Sequence, residues 1–208
     1  MESCDHTGFF AAFTGAVITV TFLTEGFSSK GKAVVETILD QRTSLAAARG
    51  IFSLYSPVSV GKFYFNNDDM LNFSRSGRVD GEADSHLIFA SSLLRSRMTF
   101  DYSVSRSGYC SEKLSFSEKN GTLEVVNGLG VKVDTLYVSD GQGKFFKLGS
   151  PLEPGARAVL YAVPKLPEMA GNIAKDCYRA TISKPFFISP GVIPDKYEHK
   201  QTIFGRWR

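Results

Sequence analysis

The chain has 208 residues, of which 43% are hydrophobic and 22% are charged, so it can bury a substantial core and is not an intrinsically disordered protein. Its 24 Lys and Arg against 21 Asp and Glu leave a net charge of +3, too small for the basic surface of a nucleic-acid-binding protein. Aromatic residues make up 12% of the chain, which favours β structure because aromatic side chains pack well on pleated sheets.

The N-terminal segment comprises residues 1–30. Residues 7–24 carry no charge, and this length just reaches the lower limit for a helix that crosses a membrane. Acidic residues, not basic ones, precede the uncharged stretch, so it does not resemble a signal peptide. The alternating, β-branched run from Val17 to Phe22 is also compatible with a buried strand. We favour a membrane helix over residues 7–27.

The next segment, residues 33–55, can be interpreted with either period. Val34, Ile38, Arg42, Leu45 and Arg49 would share one face of a helix that ends before Gly50. With a period of two, residues 33–39 and 45–55 form two strands around a turn at residues 40–44. We favour this hairpin because both flanks are rich in β-forming residues.

From residue 51 onward, short strand-like runs alternate with turns rich in Gly, Pro, Asn and Asp. Turns are predicted at Asn120-Gly121, at Asn127-Gly128 and at residues 140–143. The predicted strands are 51–55, 61–65, 86–90, 98–104, 114–116, 122–126, 135–139, 144–148, 156–163, 177–182 and 200–206. This pattern predicts a mainly β domain over residues 31–208, an antiparallel β-sandwich that is immunoglobulin-like or related.

The chain has three cysteines, Cys4, Cys110 and Cys177. They form no C-x-x-C pair and are too few for a zinc site by themselves. Cys110 and Cys177 each have a tyrosine neighbour, so one disulfide between them is an alternative to two unpaired thiols in the core, which we favour.

A set of short motifs resembles a known group of proteins. The motifs, in chain order, are Phe52-Ser53-Leu54-Tyr55-Ser56-Pro57, Leu136-Tyr137-Val138, Gly143-Lys144-Phe145-Phe146, Leu152-Glu153-Pro154-Gly155, Tyr178-Arg179-Ala180 and Ile203-Phe204-Gly205-Arg206. Over residues 33–208 the chain resembles the C-terminal, β-rich, extracytoplasmic tail of uncharacterised bacterial multi-pass membrane proteins. In that group the tail follows a last membrane helix, which residues 7–27 would match, and no catalytic residues are implied.

The side of the membrane is predicted in two opposite ways. Lys30 and Lys32 follow the hydrophobic segment and favour the cytoplasm by the positive-inside rule. The resemblance implies an extracytoplasmic domain, which we favour.

The densest acidic cluster is Asp80-Gly81-Glu82-Ala83-Asp84-Ser85-His86. Oxygen ligands at alternate positions would suit calcium. A calcium-binding EF-hand loop would need Gly at position 85 and Glu at position 91, where this chain has Ser85 and Ser91. We therefore predict a solvated loop, with no metal site and no cofactor.

Motifs for nucleophilic catalysis are incomplete. None of the three histidines stands in the context of a catalytic triad, and the strings Ser29-x-x-Lys32 and Ser59-x-x-Lys62 lack the companion motifs of serine hydrolases. We predict no catalytic residues.

The sequence thus predicts a non-catalytic, membrane-tethered β-sandwich that presents a binding or assembly surface, with the membrane and a protein as partners and no nucleic acid. Loops carry function in such scaffolds, so residues 66–69, 77–85 and 106–108 are the predicted contact regions. The candidate binding residues are Asp68, Asp69, Asp80, Glu82 and Asp84. The alternatives are a metal-dependent hydrolase that uses residues 80–86 and a structural subunit of a membrane assembly that pairs through exposed strand edges.

Overall fold

The regular secondary structure in the described part of the chain consists of β-strands. The computed structural model describes residues 28–57, 62–73, 79–83, 86–89, 97–119, 121–164, 167 and 173–208. The strands are β1 (Lys30–Asp40), β2 (Leu45–Ser56), β3 (Phe63–Asn66), β4 (Met70–Phe73), β5 (Val79–Ala83), β6 (His86–Phe89), β7 (Met98–Tyr109), β8 (Lys113–Lys119), β9 (Thr122–Gly128), β10 (Thr135–Ser139), β11 (Phe145–Leu148), β12 (Arg157–Val163), β13 (Cys177–Ile182) and β14 (Lys196–Arg206). The predicted mainly β class is confirmed.

The first hairpin follows directly from alternating polarity. Strands β1 and β2 pair antiparallel along their whole lengths, and burial along β1 alternates, with Val35 and Leu39 buried and Ile38 exposed. Such alternation places every second side chain in the core. The predicted hairpin is confirmed, and the alternative helix over residues 33–49 is wrong.

Eleven of the described strands form one large sheet, in the order β4-β7-β2-β1-β14-β13-β10-β11-β12-β9-β8, and β3-β6-β5 form a small second sheet. Among the pairings of these strands, β1 with β14 is the single parallel one, running from Lys30 opposite Lys196 to Asp40 opposite Arg206. The prediction of a wholly antiparallel sandwich missed this pair. Its partners lie far apart in the chain, and local alternation carries no information about which distant strands pair.

The small sheet packs on one half of the large sheet and encloses an aromatic core. Its buried members are Ala33, Val35, Ala48, Phe52, Leu54, Phe63, Phe65, Phe100, Tyr102, Val104 and Ile188. The ring of Phe63 on β3 lies 6.1 Å from that of Phe100 on β7, and the ring of Phe65 lies 5.8 Å from that of Tyr102. Both pairs have the edge-on geometry that aromatic rings prefer. Two sheets that share an apolar interior form a sandwich.

The other half of the large sheet curls so that its edge strand β8 packs against a central strand, β13. It encloses a mainly aliphatic core. This core includes Leu39, Leu114, Leu123, Val125, Leu136, Val138, Leu160, Tyr178, Ala180, Ile182 and Ile203. The contact is made by Phe116 on β8. The Phe116 ring lies 5.4 Å from the ring of Tyr178 and 5.3 Å from the ring of Trp207. The predicted sandwich class is confirmed in both halves.

A buried polar chain lies between the two cores. The Gln201 amide donates to Thr37 Oγ1 (2.7 Å) and to the Phe186 carbonyl (2.8 Å), and its oxygen accepts from the Phe186 N–H (3.0 Å). His199 Nε2 lies 3.1 Å from the same oxygen, and His199 Nδ1 lies 3.0 Å from Tyr197 Oη. These bonds connect β14 to β1 through Thr37, and to the segment that precedes β14 through Phe186.

Two local predictions concern a turn and a pair of cysteines. The predicted turn at Asn127-Gly128 is wrong, because β9 continues through Gly128 and pairs there with Lys113. Cys110 and Cys177 are free thiols, the first buried and the second half-buried.

The predicted membrane helix over residues 7–27 lies outside the described residues. Within the part that the structure describes, no helix has the length and apolar character needed to span a membrane.

Candidate functional site

The acidic residues singled out in the sequence do not come together as one loop. Asp68 lies in the turn between β3 and β4, whereas Asp80 and Glu82 lie on β5. Asp84 is outside the described residues. The predicted solvated loop at residues 80–86 and the predicted contact loop at residues 77–85 are therefore wrong over the part that lies in Val79–Ala83, because this strand pairs with β6. In the described part of the chain, no three His, Cys, Asp or Glu side chains are grouped closely enough to hold a metal ion.

Asp69 is turned inward. Its side chain is only 2% exposed, and its carboxylate accepts the Asn66 N–H (2.9 Å) across the β3–β4 turn. Arg106 Nε lies 3.7 Å from this carboxylate, and the Arg106 guanidinium stacks on the ring of Phe187 at 4.6 Å. The carboxylate thus holds a turn and anchors an arginine.

The predicted contact loop at residues 106–108 is also wrong, because β7 continues to Tyr109. Its pairing with β2 extends to Tyr109 opposite Leu45, so the hydrogen-bonded ladder keeps these residues in the sheet.

A cleft of about 460 Å³ lies at one end of the strands in the middle of the large sheet. It is lined by Ile38, Leu39, Asp40, Arg42, Ile173, Ala174, Cys177, Tyr178, Phe204, Gly205 and Arg206. We call this the terminal cleft. Its volume lies within the range of pockets that hold small molecules or a few side chains.

The parallel pair β1–β14 builds the terminal cleft. Because both strands run the same way, their C-terminal ends meet at one edge, with Ile38 opposite Phe204 and Asp40 opposite Arg206. Cys177, the first residue of β13, lies opposite Arg206 on the other side. Three separate segments of the chain thereby meet, and Ile38 remains 63% exposed.

A buried ring supports the floor of the terminal cleft. Tyr178 is 1% exposed, and Gln41 Nε2 donates to its hydroxyl at 3.0 Å. Its ring occupies the space where a side chain at Gly205 would lie. Burial raises the pKa of Tyr178 well above its usual value, so its hydroxyl stays protonated.

The charges at the terminal cleft are unequal. The Asp40 carboxylate accepts the Thr43 hydroxyl (2.8 Å) and the Arg42 N–H (3.0 Å), and these bonds lower the pKa of Asp40. The side chains of Arg42 and Arg206 are exposed, and no carboxylate of a described residue lies within 4.0 Å of either guanidinium. The one acid among the lining residues is bonded to its own turn and is also attracted to Arg42, while both arginine side chains are exposed.

Sequence reasoning did not find the terminal cleft. Its residues come from three segments whose meeting depends on the β1–β14 pair. One signal was available, namely the apolar residue Ile38 at a position that alternation assigns to the solvent face of β1.

Comparisons with known proteins identify no family. No family model matches the chain, and no curated protein matches its sequence. Among solved structures, a yeast delta-COP-I mu-homology domain is similar at a TM-score of 0.43 and 7% identity, over 88% of this chain and 97% of that one. The Danio rerio Fcho1 mu-homology domain with bound Eps15 peptide is similar at 0.42 and 7% identity, over 86% of this chain and 96% of that one. An M1 zinc metallopeptidase from Deinococcus radiodurans gives 0.31 and 8% identity, over 76% and 44%. These scores are too low to support any inference about function.

Proposed function

We propose that this chain is a non-catalytic β domain that binds a protein partner at the terminal cleft. The observation that carries the proposal is the cleft itself, which is lined by apolar side chains such as Ile38 and Phe204 together with a few polar groups. Binding sites commonly combine a mostly apolar lining with a small number of polar groups.

The ionisable groups at the terminal cleft support binding over proton transfer. A general acid or base works best with a pKa near the operating pH. The lowered pKa of Asp40 and the raised pKa of Tyr178 both move away from neutrality. The cleft is therefore suited to hold a ligand by shape and fixed charge.

We further propose that residues 7–27 tether this domain to a membrane. The uncharged length of residues 7–24 supports the tether, and the resemblance of residues 33–208 to extracytoplasmic tails supports a location outside the cytoplasm.

Selection of a random phage-displayed peptide library on the full chain tests the binding site. We expect selected peptides to lose binding on Ile38→Asp, because a carboxylate would replace an exposed apolar side chain in the terminal cleft. The matched control is Ile193→Asp, since Ile193 is 72% exposed and lies before β14, at the other end of that strand. Peptides that bind both variants equally, or a selection that yields none, would contradict the proposal.

Thiol labelling locates the bound peptide directly. Cys177 lines the cleft and is half-buried, so a bound peptide should slow its alkylation by iodoacetamide. Cys110 is an internal control, because burial raises its pKa to about 11 and keeps the thiol protonated. Unchanged alkylation of Cys177 with peptide bound would place the ligand elsewhere.

A further inference from the structure

We propose that the ligand of the terminal cleft is an extended acidic peptide, with carboxylates that pair with Arg42 and Arg206 around an apolar side chain that packs on Ile38 and Phe204. This inference rests on the proposed function and adds the chemical class of the partner.

The first argument is charge complementarity. Arg42 and Arg206 are exposed and line the cleft, while the Asp40 carboxylate already accepts two hydrogen bonds from its own turn. Asp40 and Arg42 attract each other, but no described carboxylate lies within 4.0 Å of either guanidinium, so both exposed groups are accessible to a ligand. Guanidinium groups bind carboxylates through two parallel hydrogen bonds, which gives both affinity and a preferred orientation.

The second argument is the apolar surface between and beside these cations. Ile38 lies opposite Phe204 on β14 and opposite Ala47 on β2. Two residues further along β1, Asp40 lies opposite Leu45, which is also opposite Tyr109 on β7. Leu45 is 52% exposed and Tyr109 is 74% exposed, so the apolar surface continues beyond the cleft.

The shape of this surface favours an extended ligand. The row from Arg206 through Asp40 and Leu45 to Tyr109 crosses four neighbouring strands. At about 4.8 Å between strands, the row spans about 14 Å, which is the length of four or five extended residues. A peptide that follows this row would meet Arg206 first, then pass Asp40, and then meet the apolar side chains of Leu45 and Tyr109.

The position of the cleft favours a soluble peptide over a lipid surface. With residues 7–27 as the membrane tether, the chain that leaves the membrane enters β1 at Lys30. The cleft lies at the opposite end of this strand. Eight residues of extended chain separate Lys30 from Ile38, a distance of about 26 Å. The cleft would therefore face away from the membrane that holds the domain.

Two synthetic peptides test the inference on the full chain by fluorescence anisotropy. Both carry the same Leu and Phe residues, and they differ only in Glu against Lys at the flanking positions. We expect the Glu peptide to bind at least tenfold more tightly and its affinity to fall as salt is added, because exposed charge pairs are screened. The double variant Arg42→Glu/Arg206→Glu should reverse this preference. The control Lys113→Glu/Lys119→Glu makes the same charge change on exposed residues of β8 and should leave it intact.

Other outcomes separate this inference from the proposed function. Equal binding of both peptides, lost on Ile38→Asp, would overturn the acidic ligand and keep the binding site. Binding to vesicles of anionic phospholipid, lost in the double arginine variant and without binding of the Glu peptide, would overturn the peptide assignment. Unchanged Trp207 fluorescence in the variants excludes misfolding as the cause of a loss.

Discussion

His199 illustrates how single residues decide the properties of this domain. It is 6% exposed, and both amide hydrogens of Gln201 are donated to Thr37 and Phe186. The Gln201 oxygen therefore accepts a hydrogen bond from the Nε2–H of His199, and in the neutral imidazole Nδ1 accepts one from the Tyr197 hydroxyl. The neutral imidazole with its proton on Nε2 has a partner for each ring nitrogen in this network. Burial lowers the pKa of His199, although the hydrogen bond to Gln201 opposes this effect.

The lowered pKa makes the stability of the domain depend on pH. Below the ordinary histidine pKa of about 6.5, the unfolded chain binds a proton that folded His199 resists. The stabilisation is therefore complete above that pH and decreases as the pH falls from there towards the lowered pKa of the folded state. We expect the unfolding free energy, measured by urea titration at a series of pH values, to fall less steeply with decreasing pH in His199→Phe than in the wild type. An identical slope in the variant would show that other groups control the response.

Asp69 shows what sequence could and could not predict at this scale. Its place among turn-forming residues was evident from Asn66 to Asp69. Its use inside the protein, with the carboxylate on the Asn66 N–H and near Arg106, depends on a strand more than thirty residues further along the chain.

Among the elements, the end of β9 depends on one buried amide. Asn127 is fully buried; its side chain donates to the carbonyls of Val131 (2.8 Å) and Leu152 (3.0 Å) and accepts the Leu129 N–H (3.0 Å). The sequence pair Asn127-Gly128 indicated a turn. Asn127 instead lies within β9, one residue before its end, and organises the following loop because its side chain has backbone partners in two segments.

Replacement of this amide should weaken the whole domain. We expect Asn127→Ala to lower the unfolding free energy by about 2–4 kcal/mol, since three buried hydrogen bonds are lost and their backbone partners are left unsatisfied. Asn127→Asp should be at least as harmful, because a carboxylate cannot donate to the two carbonyls. Urea titration measures both, with the exposed Asn72→Ala on β4 as control. A cost similar to that of Asn72→Ala would contradict this role.

At the scale of the whole molecule, one contact joins the beginning of the described chain to the residue that precedes its last strand. Ser29 Oγ donates to the Asp195 carboxylate (2.6 Å), and the Ser29 N–H donates to the same oxygen (3.0 Å). β14 then continues beside β1 through the middle of the large sheet. Any tether before residue 28 is therefore fixed to the centre of the domain.

The proposed tether predicts a difference between two chain lengths. The described members of both cores all lie from Ala33 onward, so we expect a chain of residues 28–208 to retain β-rich circular dichroism and the same urea midpoint. In phase separation with Triton X-114, the full chain should enter the detergent phase and the shorter chain the aqueous phase. Equal partitioning of the two would rule out the tether, and loss of the β signal would show that residues 1–27 belong to the fold.

Sequence alone was sufficient to predict most strands, the hairpin of β1 and β2, and the sandwich class. These features depend on alternation between neighbouring residues and on turn chemistry at positions such as Asp40 and Asn120-Gly121, which are local properties. The parallel pairing of β1 with β14, the inward turn of Asp69 and the terminal cleft were decided only by the tertiary structure. Each of them requires segments distant in the chain to meet in one register, and the free energy of that meeting comes from packing across the whole sheet.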